Sequence, residues 1–459
     1  MTDAPDAPVT ARRRAVVLVG NPAAPYSRAL RIARTLQDIG FDVEIAAVAS
    51  ADVPDHEADG SVTIRRYRPS GPFAFLAAGR GAASSAPSSG PWRSRPAPLR
   101  IARSVAAALR RWALWPHTVR GWWATLDRDL APADLYHACG SLTVAAAIAA
   151  RGRDRRAGRT SRVLYDAIDD VVDGNNLLGV PAPVKAVMRR RETRWARSAD
   201  ARITVNEALA ARLATRWRTE RPLVVPNWPD VRGPATLSGG APDLIRAALG
   251  VPPTTRIVVF QGRLGPNLGL DAAAQAILEV PDAVLCLIGF GRGFAASRAR
   301  DDDPRFAGRH RTLPAVHPDE IVAWAASADV ALVPLPPVSA NQRASTPNKF
   351  WEALAAGTPI VLGPDLPEMA RILLADELGV VARSLRPGDL AAAIRTVLDV
   401  RPEVAVERRT RIAAMARDRY SWPRAARDYR SLIARLVGSG GSADPTAQVV
   451  ARRQRDAAP

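Results

Sequence analysis

The chain has 459 residues, 47% hydrophobic and 24% charged, which is enough for two or three domains with cores of their own and too apolar for bulk disorder. Two cysteines, Cys139 and Cys286, exclude a disulfide framework, and no run of about 20 apolar residues offers a membrane span. The net charge of +19 is almost all arginine, with lysine only at Lys185 and Lys349, and it favours anionic partners.

Arg12-Arg13-Arg14 precede Ala15-Val-Val-Leu-Val19, an apolar run too short for a signal peptide and closed by Gly20-Asn21-Pro22. It reads as a buried parallel strand, and the expected location is cytoplasmic. Residues 27–39 carry Leu30, Ala33, Leu36 and Ile39 at helical spacing, Gly40 ends that helix, and Phe41–Val48 is a second strand. This is the opening of a doubly wound α/β sheet. The alternation continues with a strand ending at Leu135-Tyr136-His137, a helix from Leu142, a strand at Arg162–Tyr165, a helix over Val184–Arg197 and a strand at Ala201–Val205. Residues 232–241, with Pro234 and three glycines, read as a linker.

A second α/β series begins at Arg256–Phe260. Further strands are expected at Ala283–Ile288, Arg311–Leu313, Val330–Val333 and Pro359–Val361, with helices between them. The expected layout is an N-terminal Rossmann-like domain over 1–230, a C-terminal one over 231–415, a last helix over 416–437 and a disordered tail over 438–459.

One segment breaks the alternation. Gly60 to Leu126 holds 11 arginines and no acidic residue. Its first part, within an insertion over 69–126, reads as a Pro/Gly/Ser-rich loop. Residues 99–126 read as a helix bearing Trp112, Trp115, Trp122 and Trp123 beside five arginines. Such interleaving suits either an anionic membrane surface or an insertion helix that packs its tryptophans on the N-terminal domain.

The chemistry concentrates in Ser345-Thr-Pro-Asn-Lys-Phe-Trp-Glu-Ala-Leu-Ala-Ala-Gly-Thr-Pro359. Pro347 suits the first turn of a helix, and the free N–H groups of that turn, with Lys349, make an anion site. Glu352 lies four residues after Asn348 and three after Lys349, on the same face, where a carboxylate can accept two ribose hydroxyls. A surface Lys–Glu pair is the plain alternative. Three strand-end loops should converge there: Gln261-Gly262-Arg263, Gly289-Phe290-Gly291 and Leu313-Pro314. On the opposite lip, His137 can meet a ligand or sit satisfied in the core. Asp166 can contact an acceptor hydroxyl, while Asp169 and Asp170 read as caps. No set of residues has metal-ligand spacing.

The order of Gly262-Arg263-Leu264, Gly289-Phe290-Gly291, residues 328–334 and Pro347-Asn348-Lys349-Phe-Trp-Glu352 resembles the retaining family-4 glycosyltransferases of the GT-B fold. Pro226-Asn227 and Tyr420-Ser-Trp-Pro423 extend the likeness. The resemblance implies two Rossmann-like domains facing across a cleft, with the last helix crossing back to the first. It implies a nucleotide-diphosphate sugar as substrate and no required cofactor. Its diphosphate would lie on Arg263, Asn348 and Lys349, its ribose on Glu352, and His137 would stand beside the transferred sugar. Gly20, Gly262, Gly289, Gly291, Leu313, Pro314 and Pro347 would complete the donor site, and Asn21, Tyr26 and Asp166 would face a glycan or lipid-linked acceptor. Leu268 and Ala344 stand where the family usually carries a basic residue and a glutamate. The expected placement is peripheral, at the inner face of a membrane through residues 99–126. A noncatalytic nucleotide-sugar-binding protein is the alternative, and nucleic-acid binding is not expected.

Overall fold

A computed structural model of the chain describes residues 12–24, 26–71, 119–230 and 243–438. The linker at 232–241, the tail beyond 438 and most of the Trp/Arg segment, including Trp112 and Trp115, lie outside the described residues.

Two open sheets form, one in each half. Strands β1 (Arg14–Val19), β2 (Asp42–Val48), β3 (His56–Asp59), β4 (Val62–Tyr67), β5 (Leu135–Cys139), β6 (Arg162–Ala167), β7 (Ala201–Thr204) and β8 (Leu223–Val224) order as β3-β4-β2-β1-β5-β6-β7-β8. Every pairing is parallel except the β3–β4 hairpin at the edge. Strands β9 (Arg256–Arg263), β10 (Ala283–Phe290), β11 (His310–Pro314), β12 (Val330–Val333), β13 (Ile360–Leu362) and β14 (Gly379–Val381) form the second sheet, ordered β11-β10-β9-β12-β13-β14 and parallel throughout. In both halves the order reverses beside the first strand, at β1/β5 and at β9/β12. Ligands of doubly wound sheets bind outside the strand ends at such points.

The central strands are continuous apolar runs because helices cover both faces. Ala15 to Val19 are all fully buried. The last helix, Trp422–Gly438, leaves the C-terminal half and lays Trp422, Ala425, Tyr429, Ile433 and Leu436 into the core of the first sheet. The chain therefore crosses between the halves twice, at Pro226–Pro229 and again before Trp422, and Trp422 N–H donates to Pro229 C=O at 2.8 Å. Trp228, Trp351 and Tyr420 pack together beside the two crossings, with ring centres 5.2–6.0 Å apart.

The described end of the Trp/Arg segment, a helix over 119–129, corrects part of one expectation. Trp122 is buried in the core with its indole N–H towards Ala47 C=O, and the Trp123 indole N–H donates to Leu142 C=O at 2.9 Å. Those two rings serve the domain's own packing. Among the described residues, no helix is long and apolar enough to cross a membrane.

Candidate active site

The helix Asn348–Ala355 carries the site. Pro347, with φ −68° and ψ 158°, directs the chain into it one residue earlier than expected, as the flanking residue and not the first helical one. No side chain caps its first turn, so the start of the helix keeps its capacity for an anion. Facing it is the start of the helix Ser27–Asp38, which likewise has no side-chain cap. Both open into one cavity of about 220 Å³ between the halves, with Tyr26 and Ser27 from the first and the ends of β9 and β10, residues 315–321 and the helix start from the second.

Gly262 allows the cationic end to form. Its φ of 108° is open to glycine, and the space a Cβ would fill lies 3.7 Å from Lys349 Nζ. That ammonium sits 4.3 Å from the centre of the Phe260 ring. Burial pulls the Lys349 pKa down to about 8, with Glu352 opposing and Arg263 reinforcing the shift. Arg263 is exposed and its side chain makes no hydrogen bond among the described residues, so its fork is free for a ligand. Gly289 permits the strand ends to meet, since a Cβ there would fall 1.9 Å from Gly262 C=O.

Glu352 marks the other end. Gln261 Nε2 donates to it at 2.8 Å. Burial raises its pKa, while Arg31, Gln261 and Lys349 draw it back. Phe290, 41% exposed, forms an apolar wall with Val316 and Ile321. The cavity thus offers cations and helix starts at one end, a carboxylate that accepts hydrogen bonds at the other, and a flat apolar side.

Of the expected residues, Tyr26, Gly262, Arg263, Gly289, Pro347, Asn348, Lys349 and Glu352 line this cavity. Gly20, Asn21, Gly291, Leu313 and Pro314 do not; the third loop reaches it through Ala315 and Val316 instead. Asn21 turns its side chain to its own loop and accepts from Ala23 N–H at 2.8 Å.

His137 and Asp166 are not among the residues that line the cavity. β5 runs on to Cys139 and β6 to Ala167, so both residues lie inside strands, and both are fully buried. His137 Nδ1 meets Tyr429 Oη at 2.9 Å, and its Nε2 lies 3.2 Å from Asp166 Oδ2. Arg28 grips Asp166 with two N–H donors, at 2.7 and 2.9 Å. Burial lowers the His137 pKa and so favours the neutral ring. The fold also gathers His137, Cys139 and Asp166, with ligand atoms within 4.8 Å of one another, but Arg28 and Tyr429 already engage that group. Asp170 does cap, accepting from Asp173 N–H at 3.3 Å, whereas Asp169 accepts from Asn341 Nδ2 across the cleft at 3.1 Å.

Residues 255–400 match the family model described as Glycosyl transferases group 1. The likeness to group 1 glycosyl transferases lies in the second half. The match covers β9 to the helix Pro387–Leu398 and contains Arg263, Lys349 and Glu352. Among curated proteins, the chain is 31% identical over 205 residues to a D-inositol 3-phosphate glycosyltransferase of Corynebacterium aurimucosum, covering 41% of this chain and 45% of that one. It is 29% identical over 232 residues to the Mycolicibacterium gilvum protein of the same description, covering 48% of each. The chain thus spans about half the length of the curated relatives it matches. Among solved structures, sucrose-phosphate synthase of Thermosynechococcus elongatus superposes with a TM-score of 0.63 at 16% identity, over 93% of this chain and all of that one. Anabaena HepE in complex with UDP-glucose gives 0.60 at 15%, over 92% of this chain and all of that one. At such identities the likeness is one of fold, and the fold is GT-B.

Two residues of the N-terminal half beside the cavity fell outside the sequence reading. Ser27 reaches the cavity wall and accepts from Asn348 Nδ2 at 3.1 Å, and Arg31 sits one turn behind it. Their i, i+4 spacing on the helix after β1 was the only available signal. The position of Leu268 is buried in the core of the second sheet, and Ala344 C=O accepts from Asn206 Nδ2 at 2.7 Å. A larger hollow of about 430 Å³ opens behind the Asn348 helix, beside Trp351 and Tyr420, but Arg263, Lys349 and Glu352 do not line it.

Proposed function

We propose that the chain transfers a sugar from a nucleotide-diphosphate donor to a hydroxyl of a glycan or lipid-linked acceptor, with retention of configuration. The observation that carries this reading is the meeting of Arg263, Lys349, the uncapped Asn348 helix start and Glu352 in one cavity between the domains. The diphosphate lies on the cations and helix starts, the ribose hydroxyls donate to Glu352, and the base rests along Phe290, Val316 and Ile321. Charge that develops on the departing diphosphate meets donors already in place, which is the larger source of rate in such a site. The acceptor enters from the side of Tyr26. The group 1 family match and the UDP-glucose that HepE is described as holding support a sugar-nucleotide donor.

A thermal-shift panel of nucleoside diphosphates and their sugars tests donor binding. A donor at about 100 times its Kd should stabilise the protein by about 2.7 kcal/mol. If no nucleotide shifts the transition, the reading fails. Product NMR then reads the anomeric configuration.

A second reading has its own support. His137 is sealed in the core and position 344 carries no carboxylate, so the cavity bears fewer groups towards the sugar than the family usually supplies. A protein that binds nucleotide sugars without transferring them fits that depletion. Steady release of nucleoside diphosphate, abolished in Glu352→Gln, would exclude it.

A further inference from the structure

Three arginines succeed one another on the inner face of the helix Ser27–Asp38. Arg28 holds Asp166, and Arg34 holds Asp59 and Asp319. Arg31, between them, is 9% exposed, yet among the described residues it has no carboxylate within ion-pair distance. Its Nη2 donates to Asn227 Oδ1 at 2.5 Å, and its Nε has no partner. The Trp422 ring lies over it, 5.6 Å away. Burial pulls its pKa down to about 10, and Glu352 is the foremost influence in the other direction. A buried guanidinium answered chiefly by one neutral amide is under-compensated, and such a charge costs stability unless an anion completes it.

Its surroundings say where that anion comes from. Arg31 donates to Asn227, Asn227 Nδ2 to Asn348 Oδ1, and Asn348 Nδ2 to Ser27 Oγ, with Arg31 Nη2 and Ser27 Oγ closing the ring at 3.4 Å. The ring joins the first domain, the crossing segment and the second domain. Ser27 and Asn348, which begin the two uncapped helices, are its members on the cavity wall. The guanidinium therefore lies directly behind the point where the helix starts meet, in surroundings that screen its field weakly.

We propose that Arg31 is a positioning residue for the nucleotide diphosphate: its charge, set behind the two helix starts, completes the anion site from the N-terminal domain, and through Asn227 it holds Asn348 in register with Ser27. This rests on the donor reading above. Because Arg31 belongs to the first domain and Lys349 to the second, the full positive potential exists only in the closed cleft, so diphosphate binding and closure favour one another. The nucleoside end of the donor makes no contact with Arg31 and feels it only through its weaker, indirect influence on Glu352.

The test is a titration of wild type, Arg31→Gln and Arg31→Lys with UDP, GDP, ADP and their nucleosides, by calorimetry and ligand-observed NMR. For whichever diphosphate binds the wild type, Arg31→Gln should weaken it about tenfold or more, leave the nucleoside within about twofold, and be rescued to within about threefold by Arg31→Lys. Equal diphosphate affinity in Arg31→Gln, or parallel loss of diphosphate and nucleoside, overturns the inference while leaving the donor site intact. If Arg31→Gln does not fold, Arg31→Lys decides alone, because a tenfold loss with the charge retained removes the electrostatic role. Failure of the wild type to bind any of the three diphosphates sinks the donor reading, and this inference with it.

Discussion

Asp166→Asn should destabilise the N-terminal domain by about 3–5 kcal/mol, the usual cost of removing one partner of a buried ion pair. The structure places this change at the high end for a single side chain. Arg28 and Asp166 are 1% and 0% exposed, joined by two hydrogen bonds of 2.7 and 2.9 Å, and His137 adds a third contact at 3.2 Å. The amide keeps the shape but leaves the Arg28 cation in the core without a counter-charge. Chemical denaturation should show a lower midpoint with an unchanged slope, and the thermal midpoint should fall by roughly 6–20 °C at about 2–4 °C per kcal/mol. Burial pushes the Asp166 carboxyl up, but Arg28 and His137 outweigh it and hold it below its ordinary value. A folded pKa below the unfolded one gives stability that is present above about pH 3.9 and lost as pH falls through the lower folded value, so the wild-type advantage should fade only there. The double change Arg28→Met with Asp166→Leu should recover most of the loss, since an apolar pair leaves no charge stranded. A loss under about 1 kcal/mol for Asp166→Asn, or a double variant worse than the single one, would refute the account.

Glu352→Gln should weaken nucleoside and nucleoside diphosphate alike by about tenfold or more, because it replaces charge-assisted bonds to the ribose by neutral ones; calorimetry reads both. Lys349 loses its charge as pH rises through about 8, so diphosphate affinity should fall across that range, and Lys349→Met should flatten the profile. Gly289→Ala sets a methyl group 1.9 Å from Gly262 C=O and must part the ends of β9 and β10, so nucleotide-induced thermal stabilisation should vanish while the first domain's unfolding is unchanged. Trp422→Ala should cost about 3–5 kcal/mol in denaturant unfolding, since it empties the seam where the last helix meets Thr35 and the first sheet.

The alternation of apolar runs with helical spacing was enough to expect two doubly wound sheets, because parallel strands buried on both faces must be apolar throughout. β1, β9 and β10 stand where that argument put them. The β3–β4 hairpin escaped it. Its strands are four and six residues long, β3 is mostly exposed, and an edge strand needs no apolar run to hold its place. β14 escaped for a similar reason, since three half-buried residues make too short a signal.

The site divides along the same physical line. Its donor half depends on local geometry: a proline that aims a helix, a lysine and a glutamate on one face, and glycines at the ends of neighbouring strands. Each of these is fixed within a few residues, and the rule that ligands sit beyond the carboxyl ends of doubly wound strands brought Gly262 and Arg263 to Lys349 and Glu352. His137 depends on Tyr429, 292 residues away, and Arg31 on Asn227, 196 residues away. Nothing within reach of either residue says whether its neighbour will be solvent, ligand or another helix. In a fold where the last helix returns to roof the first sheet, a polar residue on a central strand of that sheet is more readily enclosed than exposed, which is why His137 and Asp166 belong to the support of the helix Ser27–Asp38. That helix in turn carries Tyr26 and Ser27 to the cavity. The buried pair beneath it and the unpaired Arg31 beside it therefore act on the same wall, the first by holding the helix and the second by charging its start. Loss of Asp166 should consequently weaken nucleotide binding only through the helix it anchors, and restoring packing with the apolar pair should restore binding together with stability.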